Sequence, residues 1–139
     1  MTDNPQRSLF FGVMGNPYES ELCTSVLRLA DAALRAGHRV IVWTCGGATT
    51  LTQSSIGMAK PRNLIDFATG RGDVRYPSTA RFVAELIDTA DGRLDWMVCR
   101  HCADERGAGE QIEGVVVASP FKFLAQMERA DVAMVMGVK

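Results

Sequence analysis

The sequence predicts an α/β fold, a three-layer α/β/α sandwich around a five-stranded parallel sheet. Five short apolar runs alternate with segments in which apolar residues recur with the period of a helix. The runs are continuously apolar, which is typical of strands covered on both faces. Strands that alternate with helices form a parallel sheet with the helices packed on its two faces.

The predicted elements are bounded by polar residues and glycines. The strands are predicted at residues 8–14, 39–44, 94–98, 115–117 and 132–136. Three helices begin at an asparagine or serine that can accept hydrogen bonds from the first free amides, twice with proline at the next position. Glycines end the first two of these helices. The helix boundaries are Asn16-Pro17 to Gly37, Ser78 to Gly92, and Ser119-Pro120 onward.

Size and composition limit the class of protein. With 139 residues the chain is predicted to form one domain, residues 1–139, and its net charge of −1 does not indicate nucleic acid or an anionic membrane as a partner. No apolar run reaches the roughly 18 residues of a membrane span. Residues 1–7 are predicted to be extended or disordered, and they lack the apolar core of a secretory signal. We therefore expect a cytoplasmic protein, whose four cysteines indicate metal or redox chemistry rather than structural disulfides.

Residues 57–77 form the least regular part of the sequence. A short helix is plausible at residues 63–69, and the rest is predicted to be an insertion loop. Its basic residues could dock a partner or an anion, or they could simply be solvated: Lys60, Arg62, Arg71 and Arg75.

The residues that carry chemistry are predicted to be Cys99 and Cys102, a Cys-x-x-Cys pair directly after the third strand. The next residues indicate a short helix ending at Gly107. Free amides at a helix start favour negative charge, and the thiolate is the nucleophilic form of cysteine. We therefore predict Cys99 as an attacking thiol, ionised and reachable from solvent. Cys102 lies one helical turn further, with Cβ atoms about 5–6 Å apart, whereas a disulfide needs about 3.8 Å. The first turn would have to tighten or fray for Cys102 to act as a resolving thiol.

The pair is flanked by charged residues that could support it. Arg100 and His101 could add positive charge beside a thiolate, and a histidine facing solvent is an equally good interpretation. Arg106 could orient a sulfur group, although an ion pair with Asp104 or Glu105 is the simpler account.

Residues at other strand ends could join the site, because sites in such sheets lie off the carboxyl ends of the strands. Cys45 follows the second strand, and the turn with Asn16 and Tyr18 follows the first. Packing at a strand end remains the simpler role for Cys45, which is followed by a stretch predicted to be a flexible turn. Cys23 is predicted to lie in the core.

A metal or cofactor is not expected. Structural zinc sites usually have four ligands, often from two Cys-x-x-Cys pairs. A second pair is absent, so only Cys45 or a histidine could complete a site. The turn at Asn16 lacks the glycine-rich loop that holds phosphates in flavin and nucleotide sites.

The layout resembles the DsrE family of sulfur-relay proteins. The resemblance is carried by Cys99 with its downstream Arg106-Gly107, by the opening strand and its turn, and by Ala130-Asp131 before the last strand. In that family a cysteine ends the third strand, and a short helix leads to an Arg-Gly pair. Cys99, not Cys102, has that spacing. The resemblance implies a DsrEFH-like strand order of 4-3-2-1-5 and assembly into trimers or hexamers.

The resemblance also implies a function for Cys99, which would accept sulfane sulfur as a persulfide from a donor protein and pass it to an acceptor protein. The chain would then be a sulfurtransferase-type carrier. Cys102 is not general to the family, so two alternatives stay open. One is a thiol–disulfide redox protein or sensor, and the other is a non-catalytic assembly or regulatory subunit.

Overall fold

A five-stranded parallel sheet forms the centre of the molecule, and its strands, numbered along the chain, lie in the order 4-3-2-1-5, as the resemblance implies. The structure is a computed structural model that describes residues 4–17, 22–56 and 78–137. All four strand pairings within it are parallel. The strands are β1 (Ser8–Met14), β2 (Arg39–Cys45), β3 (Leu94–Cys99), β4 (Val115–Ala118) and β5 (Val132–Gly137).

Helical segments follow the strands. The α-helices are α1 (Leu22–Arg35), α2 (Thr79–Thr89), α3 (Arg100–Glu105) and α4 (Phe123–Glu128). The 3-10 helices are Gly46–Thr52, Ser54–Ile56 and Pro120–Lys122. In the described part of the chain, no helix combines the length and the apolar character needed to cross a membrane.

Local chemistry explains where the helices end and begin. Gly37 has a φ of +88°. Its amide donates a hydrogen bond to the Leu34 carbonyl, and the His38 amide donates to the Ala33 carbonyl. These paired bonds close α1 as a Schellman motif, in which glycine takes the left-handed position. Gly107 closes α3 in the same way. At the other end, the Ser78 hydroxyl accepts from the Arg81 amide and caps α2, as predicted.

Alternate residues of the strands face two separate apolar layers, which explains the continuously apolar runs. On one face, side chains such as Val42 and Val98 pack with the buried residues of α1 and α2. On the other face, Phe10 and Trp43 each make edge-to-face contact with Phe123 of α4, at ring-centroid distances of 5.5 and 5.6 Å. Helices therefore lie on both faces, as expected of an α/β/α sandwich.

The structure departs from the sequence predictions in two places. Pro17 lies in a turn rather than in the first turn of a helix, and α1 is described only from Leu22. The stretch after Cys45 is a 3-10 helix rather than a flexible turn, because Ala48 and Leu51 are buried and pull the segment against the core. Tyr18 and the predicted loop at 57–77, with its basic residues, lie outside the described residues.

Candidate thiol site

Three cysteines meet at the carboxyl edge of the sheet. Cys45 is the last residue of β2, Cys99 is the last residue of β3, and Cys102 lies in α3. Their three Sγ atoms all lie within 4.8 Å of one another. Together these residues are called the thiol cluster below.

Strand register explains why Cys45 joins the other two. β2 and β3 are paired with Trp43 opposite Met97 and Thr44 opposite Val98. One residue further along the same register, Cys45 comes beside Cys99. Side chains alternate between faces, so Cys45 points to the same side of the sheet as Trp43 two residues earlier.

The cluster has a buried floor and a half-buried rim. Cys99 is only 2% exposed and lies in an apolar cluster with its strand neighbours Trp43 and Met97. Cys45 and Cys102 are half-buried. The prediction of a thiol reachable from solvent is therefore wrong for Cys99, because apolar side chains of both strands cover it. Cys99 does occupy the N-cap position of α3, as the sequence indicated, but its side chain makes no capping hydrogen bond.

A tryptophan donates a hydrogen bond to the cluster. The Trp43 indole Nε1 lies 3.0 Å from Cys45 Sγ and donates to it. Burial raises the pKa of Cys45 to about 12, the Trp43 hydrogen bond lowers it, and negative charge on Cys99 or Cys102 raises it further. Cys45 is therefore a neutral thiol near pH 7, and ionisation of its neighbours opposes its own.

The charged residues beside the pair turn away from the sulfurs. His101 Nε2 lies 3.0 Å from Glu105 Oε1, with a side chain that is 71% exposed. Arg106 pairs with the same carboxylate at 3.2 Å and donates to the Cys102 carbonyl. Arg100 donates to the backbone of β4. Arg106 therefore forms the ion pair with Glu105 that the simpler interpretation predicts, and the contacts of Arg100, His101 and Arg106 described here are to Glu105 and to backbone carbonyls.

The loops after β1 and β2 fit tightly together beside the cluster. A Cβ added at Gly47 would lie 2.9 Å from the Asn16 Cα and 3.0 Å from the Gly15 carbonyl oxygen. Asn16 therefore lies at the same edge as Cys45, as predicted, but as a backbone neighbour of the 3-10 helix. Glycine is needed at position 47 because any side chain would meet backbone atoms.

A glutamine fixes the 3-10 helix to the segment that follows α3. Gln111 Nε2 donates to the carbonyls of Thr49 at 3.0 Å and Ala108 at 2.6 Å. Its Oε1 accepts from the Thr52 hydroxyl at 2.5 Å. The Gln111 side chain thus joins the 3-10 helix that follows Cys45 to the segment that follows α3, the helix of Cys102. The sequence pattern did not indicate this role of Gln111.

The fourth cysteine is separate from the cluster. Cys23 is fully buried in the core under α1, as predicted, and burial raises its pKa to about 11. It offers a matched control for experiments on the other three.

Comparison with known proteins gives a family and a fold. The sequence profile of the DsrE/DsrF-like family matches residues 7–136. The fold is similar to the crystal structure of the YchN protein from E. coli, with a TM-score of 0.70 and 19% sequence identity over 95% of this chain and 100% of that chain. No curated protein matches the sequence.

Proposed function

The chain belongs to the DsrE/DsrF-like family, and we propose on that premise that it is a sulfur-relay carrier whose Cys99 accepts sulfane sulfur as a persulfide. The observation that carries the proposal is the convergence of three free thiols within 4.8 Å at the carboxyl edge of the sheet. Ligands bind at this edge in parallel α/β sheets. Cys99 is the member that ends β3 before the Arg106-Gly107 pair.

Loading is a thiolate displacement at sulfur. The Cys99 thiolate attacks the outer sulfur of a donor persulfide, R–S–SH, and the bond between the two donor sulfurs breaks. Cys99–S–SH forms and the donor leaves as R–S⁻, so no external oxidant or reductant is needed. An acceptor thiolate then attacks the outer sulfur in the same way and restores the Cys99 thiolate.

A second route releases the sulfur as hydrosulfide. A neighbouring thiolate attacks the inner sulfur of Cys99–S–SH and expels HS⁻, leaving a disulfide that a dithiol must reduce. Cys102 is better suited to this attack than Cys45. Burial raises the pKa of Cys45 to about 12, so near pH 7 it stays a neutral thiol and is the poorer attacking group.

The donor must approach over the rim of the cluster. Cys99 is almost fully covered, whereas Cys45 and Cys102 reach the surface. Sulfur transfer to Cys99 therefore requires the rim side chains to turn aside, or the sulfur to pass through Cys102. The proposal can be tested by locating the added sulfur.

Mass spectrometry after incubation with a sulfane donor tests the proposal. The wild type and Cys102→Ser should gain one sulfur on Cys99, and Cys102→Ser should hold it longer because no resolving thiol remains. Cys99→Ser should gain none, while Cys23→Ser should behave as the wild type. A wild type that gains no sulfur, under conditions that load a known carrier, would contradict the proposal. If the added sulfur is found on Cys102 and not on Cys99, then Cys102 is the accepting residue and the assignment to Cys99 is wrong.

A dithiol redox function is the second candidate, and the proximity of Cys99 and Cys102 favours it. A redox protein forms a reversible Cys99–Cys102 disulfide and no lasting persulfide. Cys102→Ser separates the two functions, because it removes redox cycling and preserves sulfur loading.

We propose that the relay partners are proteins, and that the chain assembles with itself into trimers or hexamers in a reducing compartment such as the cytoplasm. The edge strand β5 supports self-assembly because Val132, Met134 and Val135 are 44–48% exposed. Apolar patches and free strand edges of this kind mark interaction surfaces. Light scattering should show an oligomer that Met134→Ser weakens and Val116→Ser, on the opposite edge strand, leaves intact. A monomeric wild type would refute the assembly.

A further inference from the structure

The thiol cluster has the composition of a metal site as well as that of a sulfur carrier. We propose that Cys45, Cys99 and Cys102 bind a soft d¹⁰ metal ion through three thiolates, and that Cu(I) is the ion that fits them best. This binding does not depend on sulfur transfer, so each proposal can fail alone.

The spacing of the sulfurs suits a shared ion. A metal–sulfur bond of about 2.3 Å places three sulfurs of a planar trigonal site about 4.0 Å apart. The three Sγ atoms already lie within 4.8 Å of one another. Side-chain rotations that shorten these distances by less than 1 Å are enough to close the site. A disulfide would have to bring two of the sulfurs to about 2.05 Å.

The number and kind of donors favour Cu(I) over Zn²⁺. Thiolates select soft ions, and structural zinc sites have four protein ligands. Among the residues that the structure describes, no histidine or carboxylate joins the three sulfurs. His101, the nearest in sequence, is paired with Glu105. A three-sulfur set leaves zinc one ligand short, whereas Cu(I) is saturated by two or three thiolates.

Electrostatics in the cluster favour a cation at its centre. Three thiolates whose sulfurs lie within 4.8 Å of one another repel each other, and a bound cation at their centre offsets this repulsion. Each thiol that binds the ion releases its proton to solvent. The Trp43 N–H, 3.0 Å from Cys45 Sγ, stabilises the thiolate form of that ligand.

Burial gives the site a closed side and an open side. Cys99 is 2% exposed in an apolar cluster with Trp43 and Met97, so the ion would be shielded from water on the floor of the cluster. The half-buried Cys45 and Cys102 leave a route for the ion from the surface. This arrangement holds the ion firmly and still allows exchange with a chelator.

Anaerobic titration with Cu(I) tests the proposal. The protein is reduced, freed of reductant, and titrated against bicinchoninate, whose Cu(I) complex is coloured. We expect one ion per chain. Each of Cys45→Ser, Cys99→Ser and Cys102→Ser should lower the affinity at least about tenfold, because even the loss of a residue that only hydrogen-bonds to a metal ligand lowers metal affinity by about that factor. Cys23→Ser should bind as the wild type does.

X-ray absorption on the loaded wild type keeps the test independent of how the variants fold. It should show three sulfur neighbours at Cu(I). Two sulfur neighbours, wild-type affinity in Cys45→Ser, or an equal loss in Cys23→Ser would overturn the three-thiolate site. Binding of Zn²⁺ but not Cu(I) would overturn the choice of ion. Persulfide loading of the metal-free protein is measured separately, so its failure leaves this result unaffected.

Discussion

Replacing Gly47 by alanine should destabilise the protein, because the loops after β1 and β2 leave no room for a Cβ. The added atom would lie 2.9 Å from the Asn16 Cα and 3.0 Å from the Gly15 carbonyl oxygen, both backbone atoms that cannot rotate away. Overpacking of this kind costs about 1–3 kcal/mol. Alanine also restricts the unfolded chain, which stabilises the folded state by about 0.4–1 kcal/mol. The clash is the larger effect, so Gly47→Ala should lose stability.

Gly109→Ala is the matched control for this prediction. An added Cβ at Gly109 has nothing within 4 Å, and its φ is not in the left-handed region. The effect on the unfolded chain is common to both variants, so their difference of about 1–3 kcal/mol isolates the clash. Urea denaturation measures it, with a melting temperature lower by about 3–5 °C per kcal/mol for a chain of this size. Equal stability of the two variants would show that the two loops do not touch as described.

Three other predictions follow from the same region and the core. Trp43→Phe removes the donor to Cys45, so the pKa of Cys45 should rise further and its alkylation at alkaline pH should slow; an unchanged rate would contradict the hydrogen bond. Burial raises the pKa of Cys23 from its ordinary value of 9.0 to about 11, so its contribution to stability is fully present below about pH 9 and is lost as pH rises through about 11. The decline of unfolding free energy above pH 9 should therefore be shallower in Cys23→Ala than in the wild type, and parallel curves would refute this. Gln111→Ala removes the bonds to Thr49, Thr52 and Ala108 and should cost about 2–3 kcal/mol by urea denaturation; Gln111→Glu directs a carboxylate oxygen at the Thr49 and Ala108 carbonyls and should lose at least as much, and unchanged stability would contradict these bonds.

Local signals predicted the helix ends and strands well. Ser78 and Gly37 act through hydrogen bonds to residues only a few positions away. These helix ends can therefore be predicted from the local sequence, without the tertiary fold. The five strands were evident because a strand covered on both faces must be apolar throughout. The start of α1 was less legible, since Pro17 is compatible with a turn as well as with a first helical turn.

The site was predicted less completely because it depends on contacts between distant residues. Cys45 was interpreted as a packing residue, although it carries the same strand-end signal as Cys99. Its place in the cluster follows from the register of β2 on β3, which brings it beside Cys99. Side chains alternate between the two faces of the sheet, so Cys45 also lies on the same face as Trp43. Burial of Cys99 also escaped prediction, because part of the apolar cluster around it, such as Trp43, comes from another strand.

The two proposals for the thiol cluster compete for the Cys99 sulfur. Coordination to a metal ion withdraws electron density from the thiolate, so a metal-bound Cys99 attacks a donor sulfur more slowly. A persulfide on Cys99 in turn enlarges the ligand at the buried floor of the site, where the side chain is 2% exposed. Cu(I) should therefore inhibit sulfur loading of the wild type, and a chelator should restore it. The same thiols would then make sulfur transfer sensitive to soft metal ions, without any second site.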